Sequence, residues 1–196
     1  MPRVMKPLGN SMKILKSPEF PKISPKKAKK NPKMEYALLG IGGNVGDVLR
    51  SFEKLKVTLN QASNIKLIAT SIILENPPFG YTNQRDFLNS LILIKTSLSS
   101  RALLERVLKI EDRFGRKRSF KDAPRTLDID LIFYGKVRRK SKRLNLPHPH
   151  WRERGSVIIP LRYLLREKNS KKIAKIISKL LTKDKIKAII PPQIKR

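Results

Sequence analysis

Apolar residues in the middle of the chain follow first the spacing of a strand and then that of a helix. A short apolar run at residues 36–41 predicts a buried strand, and a glycine-rich turn follows it. Asp47 is placed to cap the segment after the turn. Apolar residues in that segment recur every three or four positions, at Val48, Phe52, Leu55 and Leu59. A strand, a turn and an amphipathic helix are therefore predicted.

The following segments predict two strands, a helix and a last strand. Residues 65–74 and 87–94 are rich in β-branched and other apolar side chains, which favour strands. Ser99 or Ser100 can cap a helix that extends to about Phe114, and one more strand follows it. The order β-α-β-β-α-β is typical of a ferredoxin-like α/β sandwich, with helices flanking a mostly antiparallel sheet. We therefore predict an α+β fold of this class.

The two ends of the chain differ from this middle part. Residues 1–33 combine prolines and lysines with little periodic apolar pattern, so we expect a basic, disordered arm. We place the folded domain at residues 34–190 and a short tail at residues 191–196. No internal repeat is apparent.

An amphipathic helix is predicted after Arg166. Its apolar positions are Ile173, Ile176, Ile177, Leu180 and Leu181, and its other face is rich in lysine. The simplest interpretation is a helix docked on the sheet with its basic face in solvent. Contact of that face with RNA or a membrane surface is the alternative.

The net charge of the chain allows two functional classes. The formal charge is +30, and most of it lies in the flanks, because residues 35–136 are nearly balanced. Such an excess is typical of nucleic-acid-binding proteins, and it also suits an enzyme with a polyanionic substrate. Aromatic residues make up only 6% of the chain, and no interleaved aromatic–glycine RNA-binding motif occurs. The alternative to an enzyme is a basic nucleic-acid-binding module on a ferredoxin-like sheet; for an enzyme, nucleic acid would be bound only through the flanks.

Composition also bears on location and redox chemistry. No apolar run of about 18 residues occurs, so we expect no membrane-spanning segment. The basic N-terminus lacks the apolar region of a secretory signal. The chain has no cysteine, which excludes disulfides, thiolate metal sites and thiol catalysis. We expect a monomer in the cytoplasm.

Two acids share one face of the last predicted strand. Asp128 and Asp130 are two positions apart, and side chains of a strand alternate between its faces with a period of two. Adjacent carboxylates repel each other unless cations lie between them. Mg²⁺ carrying a nucleotide phosphate is the obvious candidate, since Mg²⁺ prefers carboxylate and phosphate oxygens.

Cationic side chains flank the acids along the chain. The loop before the strand holds Arg116, Lys117, Arg118 and Lys121 and ends at Arg125, and a proline-rich segment holds His148 and Arg154. A triphosphate brings about four negative charges, which metal ions and arginine forks together can neutralise and orient. The glycines at 40, 42 and 43 lack the spacing of a phosphate-binding loop.

Several ordered motifs resemble one enzyme family. They are residues 124–132 (PRTLDIDLI), 38–44 (LLGIGGN), 76–80 (NPPFG), 86–89 (DFLN) and 146–149 (LPHP). Together they are similar to 6-hydroxymethyl-7,8-dihydropterin pyrophosphokinases of folate biosynthesis, over roughly residues 35–182. The resemblance implies transfer of pyrophosphate from ATP to the pterin hydroxymethyl group, with release of AMP.

The resemblance also implies roles for the cationic and acidic residues. Asp128 and Asp130 would bind two Mg²⁺ ions that hold ATP, the co-substrate. Arg116 and Arg125 match arginines that close over the phosphates, and with the two acids they form the expected catalytic set. Further ATP-binding positions are matched by Glu111, Arg143, His148 and Arg154.

The pterin-binding residues implied by the resemblance lie on the other side of the acids. Asn89 matches an amide that recognises the ring edge, and Phe87 keeps an aromatic surface for the ring. The pocket wall is expected at Asn76, Pro77, Pro78, Phe79 and Gly80. Ser156 departs from the family pattern, which has an aromatic residue at that position.

Overall fold

A computed structural model describes residues 4–8, 12–15, 34–116, 120, 122–166 and 170–181, without the side chains of residues 4–8, 15, 166 and 170. Its strands are β1 (Val4–Leu8), β2 (Met12–Leu15), β3 (Glu35–Gly43), β4 (Ile65–Thr70), β5 (Ile73–Asn76), β6 (Phe87–Thr96) and β7 (Asp128–Tyr134). Its helices are α1 (Val48–Gln61), α2 (Ser100–Arg113), α3 (Gly155–Arg166) and α4 (Ser170–Leu180). No helix in these ranges is long and apolar enough to cross a membrane.

The strands form one antiparallel sheet in the order β1-β2-β5-β6-β3-β7, and β4 also pairs with β6. The sequence β7-β3-β6-β4 in space is that of a ferredoxin-like sandwich, so the predicted fold class is confirmed. One predicted strand, at residues 65–74, is in fact two. Ser71 separates β4 from β5, where its hydroxyl accepts the backbone N–H of Leu91 at 2.8 Å.

Helices α1 and α2 cover one face of the sheet, as the apolar spacing predicted. Phe52, Leu55 and Leu59 from α1 are buried with Leu103 and Val107 from α2 in a single apolar cluster. The predicted caps are also present. Asp47 accepts the backbone N–H of the third residue of α1 at 2.9 Å, and Ser99 accepts that of the third residue of α2 at 3.2 Å.

Helices α3 and α4 cover the opposite face. The predicted C-terminal helix is confirmed as α4, whose apolar side chains pack against the sheet residues Leu38, Leu91 and Leu93. Helix α3 was not predicted, because Pro160 inside it lacks the backbone N–H that a helix interior needs. It forms nevertheless because Val157, Leu161 and Leu164 are buried against the sheet.

The N-terminal segment contains a β-hairpin. Strands β1 and β2 pair with each other, and β2 pairs with β5 at the edge of the sheet. Ile14 is 2% exposed, so burial of an apolar side chain accompanies this pairing. The expected disordered arm is therefore wrong for these two strands. The rest of residues 1–33, residues 182–190 and the tail lie outside the described residues, so the domain boundaries stay a prediction.

Candidate active site

Strand register brings the predicted acids and amides onto one face of the sheet. Asn89 on β6 is opposite Gly42 on β3, and Gly42 is opposite Asp128 on β7. Directly paired residues point to the same face, so these three positions form one row across the sheet. A Cβ atom on Gly42 would lie 2.7 Å from Oδ1 of Asn89. Glycine at position 42 therefore leaves room for the amide beside the acid.

Asp128 is bound by two guanidinium groups. Its Oδ1 lies 2.6 Å from Nη1 of Arg116, and its Oδ2 accepts a hydrogen bond from Nη1 of Arg125 at 3.1 Å. Burial raises the pKa of Asp128, and the negative charge of Asp130 raises it further, whereas nearby arginines lower it. The two acids thus repel each other and need positive charge beside them, as their spacing predicted.

Asp130 has a different set of partners. Its Oδ2 accepts a hydrogen bond from Nη1 of Arg154 at 2.7 Å and lies 4.0 Å from Nε2 of His148. The backbone N–H of His148 donates to the carbonyl of Ile132 at 2.9 Å, after a cis peptide bond between residues 146 and 147. Burial lowers the pKa of His148, although Asp130 opposes this effect. Burial thus favours the neutral imidazole.

Glu111 supports the site from behind. It is 1% exposed, and its Oε1 accepts the backbone N–H of Ile129 at 2.5 Å and a hydrogen bond from Arg116. Burial is the main reason that the pKa of Glu111 is raised to about 7. This carboxyl group joins the end of α2 to β7 and holds Arg116 against Asp128.

Two asparagines form the other side of the site. Nδ2 of Asn89 donates to Oδ1 of Asn76 at 2.7 Å, and Nδ2 of Asn76 donates to the carbonyl of Pro77 at 2.8 Å. Phe87 connects this side to the acids, because the guanidinium of Arg125 lies 5.4 Å from the centre of its ring. An aromatic face and amide groups are therefore close to the carboxylates.

Asn44 fixes the loops around the site, a role that sequence reasoning missed. It is 5% exposed, and its Oδ1 accepts the backbone N–H of Arg125 at 2.9 Å. Its Nδ2 donates to the side chain of Gln84 at 2.8 Å and to the carbonyl of Arg85 at 3.0 Å. The glycine-rich turn thereby ties the loop before β6 to the loop before β7.

A cavity of about 770 Å³ lies over this face. Its lining includes ten residues predicted for the site, namely Asn76, Pro77, Pro78, Phe79, Phe87, Asn89, Arg125, Asp128, Asp130 and Arg154. The volume is within the usual range for small-molecule sites. The cavity therefore has the size, the charged groups and the aromatic surface for a phosphorylated heteroaromatic ligand.

Comparison with known proteins decides the family. The model of the 7,8-dihydro-6-hydroxymethylpterin-pyrophosphokinase family matches residues 38–166. The chain belongs to this family. The predicted resemblance is thus confirmed, and pyrophosphokinase membership favours the enzyme hypothesis over a nucleic-acid-binding module.

Individual pyrophosphokinases show the same similarity. A Helicobacter pylori protein named 2-amino-4-hydroxy-6-hydroxymethyldihydropteridine pyrophosphokinase is 48% identical over 126 residues, which are 63% of this chain and 77% of the relative. A Campylobacter jejuni protein of the same name is 42% identical, with 64% of this chain and 80% of the relative covered. For an Aquifex aeolicus protein of that name the identity is 38%, with coverages of 65% and 79%.

Five residues expected from the pyrophosphokinase family do not line the cavity. Arg116 contacts Asp128 and Glu111, and His148 lies 4.0 Å from Asp130, but none of the three lines the cavity. Gly80 has a φ of +80°, and a Cβ there would lie 2.6 Å from the carboxylate of Asp122. Arg143 is exposed on the segment after β7. The predicted loop residues 117, 118 and 121 lie outside the described part of the chain.

Other lining residues were not among the predicted site residues, although Ser156 was singled out as a departure from the family pattern. They are Met12, Gly40, Ile41, Gly42, Ser90, Asp122, Ile132, His150, Glu153, Gly155, Ser156 and Val157. Met12 was missed because its segment was expected to be disordered. Residues 155–157 were missed because they begin α3, a helix that was not predicted since it contains Pro160. Gly40 and Gly42 could have been predicted, because strand alternation places both on one face of their strand, and pairing with the last strand puts that face beside the acids.

The two acids suit Mg²⁺ ions whose remaining ligands come from a nucleotide phosphate. No group of three or more His, Cys, Asp or Glu side chains that could hold a metal occurs among the described residues. Mg²⁺ is commonly bound by one or two carboxylates together with substrate phosphates. Asp128 and Asp130 provide two carboxylates in a cavity that also presents arginines for the phosphates.

Proposed function

We propose that this pyrophosphokinase transfers a pyrophosphoryl group from ATP to the hydroxymethyl group of 6-hydroxymethyl-7,8-dihydropterin, in folate biosynthesis. The observation that carries the proposal is the cavity, in which an acid pair with guanidinium partners lies beside an amide pair and an aromatic ring. The first group suits a polyphosphate, and the second suits a flat ring with donors and acceptors on its edge.

Asp128 and Asp130 would hold two Mg²⁺ ions. When bound, Mg²⁺ neutralises phosphate charge and stabilises the charge that develops on the leaving oxygen. Arg125 and Arg154 already contact these carboxylates at 3.1 and 2.7 Å, and both line the cavity. They can therefore exchange a carboxylate partner for a phosphate oxygen without a large movement.

The reaction joins the hydroxymethyl oxygen to the β-phosphorus of ATP. The bond between that phosphorus and the α–β bridging oxygen breaks, AMP leaves with the bridging oxygen, and the hydroxymethyl proton passes to water. Catalysis of such a transfer depends mainly on positioning and on charge stabilisation. Arg116, Arg125 and Arg154 supply positive charge, whereas Asn89 and Phe87 would orient the pterin.

The experiment that tests this function is identification of the nucleotide product. Purified protein is incubated with ATP, Mg²⁺ and 6-hydroxymethyl-7,8-dihydropterin, and the nucleotides are separated by anion-exchange chromatography. We expect AMP and pterin diphosphate in equal amounts, with no AMP when the pterin is omitted or the metal is chelated. ADP as the product would mean attack on the γ-phosphorus, and pterin-independent AMP would mean hydrolysis; either result would overturn the proposal.

A further inference from the structure

The N-terminal hairpin provides part of the cavity wall, although it precedes the part of the chain that matches the family model. That match begins at residue 38, whereas Met12 lines the cavity. The terminal methyl carbon of Met12 lies 3.4 Å from the point where a Cβ on Gly155 would be. Met12 therefore lies beside the start of α3, at a distance where even an added Cβ would make only an ordinary van der Waals contact.

Strand register explains why Met12 faces the cavity. Ile14 on β2 is opposite Leu74 on β5, and Leu74 is opposite Asn89 on β6. Strand β2 thus extends the row that contains the amide and the acid. Met12 is two positions from Ile14 and shares its face, since strand side chains alternate.

The neighbouring lysine has the opposite orientation. Lys13 is opposite Glu75, its ammonium group lies 3.9 Å from that carboxylate, and 58% of its side chain is exposed. Strand β2 is therefore held by its pairing with β5 and by the buried Ile14, whereas the exposed ion pair of Lys13 contributes little. The fixed strand gives Met12 a defined position.

Resting on the proposed function, we propose that Met12 is a substrate-contacting residue that closes the pterin side of the cavity. A methionine thioether packs well on aromatic rings because it is polarisable and unbranched. The surroundings fit such a ligand, since Phe79, Phe87 and Asn89 line the same cavity. The hairpin thereby adds to the catalytic domain a contact that determines affinity for the pterin and not for ATP.

Single thiols test this contact directly, because the chain has no cysteine of its own. In Met12→Cys and Lys13→Cys, the rate of reaction with a disulfide reagent is measured with and without saturating pterin and a non-hydrolysable ATP analogue. We expect bound pterin to slow the thiol at position 12 by about tenfold or more, since reactivity depends on access. The thiol at position 13, on the other face, should change by less than about twofold.

Binding measurements with uncharged substitutions provide the second readout. Met12→Ala should weaken pterin binding by about three- to tenfold, as expected for the loss of roughly 1 kcal/mol of apolar contact, whereas Met12→Leu should remain within about twofold of wild type. Lys13→Ala is the matched control. The affinity for the ATP analogue should be unchanged in all three variants, and thermal unfolding should show that each is folded.

The outcomes separate the role of Met12 from the function itself. If wild type binds pterin and both thiols react at rates unaffected by it, the contact is overturned while the function stands. If wild type binds no pterin, the function is overturned and the contact with it. A thiol at position 12 that reacts as fast as in the denatured chain, with and without pterin, also overturns the contact.

Discussion

The two ends of the cavity lie on different strands of one sheet, the acids on β7 and the amides on β5 and β6, and they differ in the forces that hold them. At the acidic end, formed by Asp128, Asp130 and their arginine partners, the hydrogen-bonded partners of the carboxylates are all guanidinium groups. At the amide end, formed by Asn76, Asn89 and their neighbours, the contacts are neutral hydrogen bonds and apolar surface. Gly42 lies between the two ends and separates the amide from the acid by the width of one strand.

Because of this difference, we expect each contact at the acidic end to contribute more interaction free energy than a contact at the amide end. Hydrogen bonds to charged groups contribute more than neutral ones, and an unpaired buried charge is more costly than an unpaired amide. The burial and mutual repulsion that raise the pKa of Asp128 show that this end gains from added positive charge. We therefore expect substitutions at the acidic end to affect the rate of transfer and those at the amide end to affect pterin affinity.

The largest effect is expected from removal of one negative charge at the acidic end. Asp128→Asn or Asp130→Asn keeps the shape of the side chain but weakens the binding of Mg²⁺ with its phosphate. The loss in kcat should be about 10²-fold or more, the scale for removal of one electrostatic stabiliser. AMP release at saturating substrates measures it, and the affinity for pterin alone should be little changed.

Asp112→Asn is the matched control for these two variants. Asp112 is an exposed acid on α2, next in sequence to Glu111. Its replacement should leave kcat within about twofold of wild type, as for most surface substitutions. Near-normal turnover of Asp128→Asn and Asp130→Asn would contradict the assignment of the acids to the metal ions.

A smaller and different effect is expected at the amide end. Asn89→Ala removes the donor to Asn76 and the group proposed to recognise the pterin edge. One such hydrogen bond is worth roughly 1 kcal/mol or slightly more, so the pterin dissociation constant should rise by about tenfold. Calorimetric titration with pterin and with an ATP analogue measures the two affinities separately.

Asn60→Ala, on the exposed part of α1, is the control for this substitution. It should change neither affinity. An Asn89→Ala variant that binds pterin normally and loses only turnover would contradict the expectation that the amide end determines pterin affinity and the acidic end determines the rate.

The parts of the molecule that depend on local periodicity could be predicted from the sequence. Alternation in the last strand placed Asp128 and Asp130 on one face, and the structure brings cations to both. Capping by Asp47 was predicted correctly, and Ser99 is one of the two serines predicted as the cap of α2, because an N-cap depends on residues only three positions apart. Local rules were sufficient wherever the determining contacts are themselves local.

The rest depends on contacts between distant parts of the chain. Strand β2 forms because it pairs with the edge of β5. Helix α3 tolerates Pro160 because its apolar side chains are buried against the sheet. Asn44 joins two loops through partners about 40 and 80 residues away, a role that no spacing rule indicates. The resemblance predicted Glu111 as a site residue but not that it lies beneath Arg116.

Behind the acidic end, at Glu111, we expect an effect on the pH dependence of stability. Its pKa is raised from 4.5 to about 7 in the folded protein, chiefly by burial. Between these values the folded state keeps a proton that the unfolded state releases, so the free energy of unfolding falls as the pH rises. Glu111→Gln removes this titration and keeps an acceptor for the N–H of Ile129. The free energy of unfolding of Glu111→Gln, relative to that of wild type, should therefore rise between about pH 5 and about pH 7. The rise is at most about 1.4 kcal/mol per pH unit for one proton.

Urea unfolding at several pH values measures this gain, and Glu105→Gln on the exposed side of α2 is the control, because it should follow the wild-type pH dependence. Equal pH dependence of Glu111→Gln and wild type would mean that Glu111 is ionised throughout, as a full partner of Arg116. The ion pairs of the acidic end would then include the buried Glu111 carboxylate, whereas the amide end has only neutral contacts. A gain with rising pH would instead confine the charged network to the wall of the cavity, where the phosphates are proposed to bind.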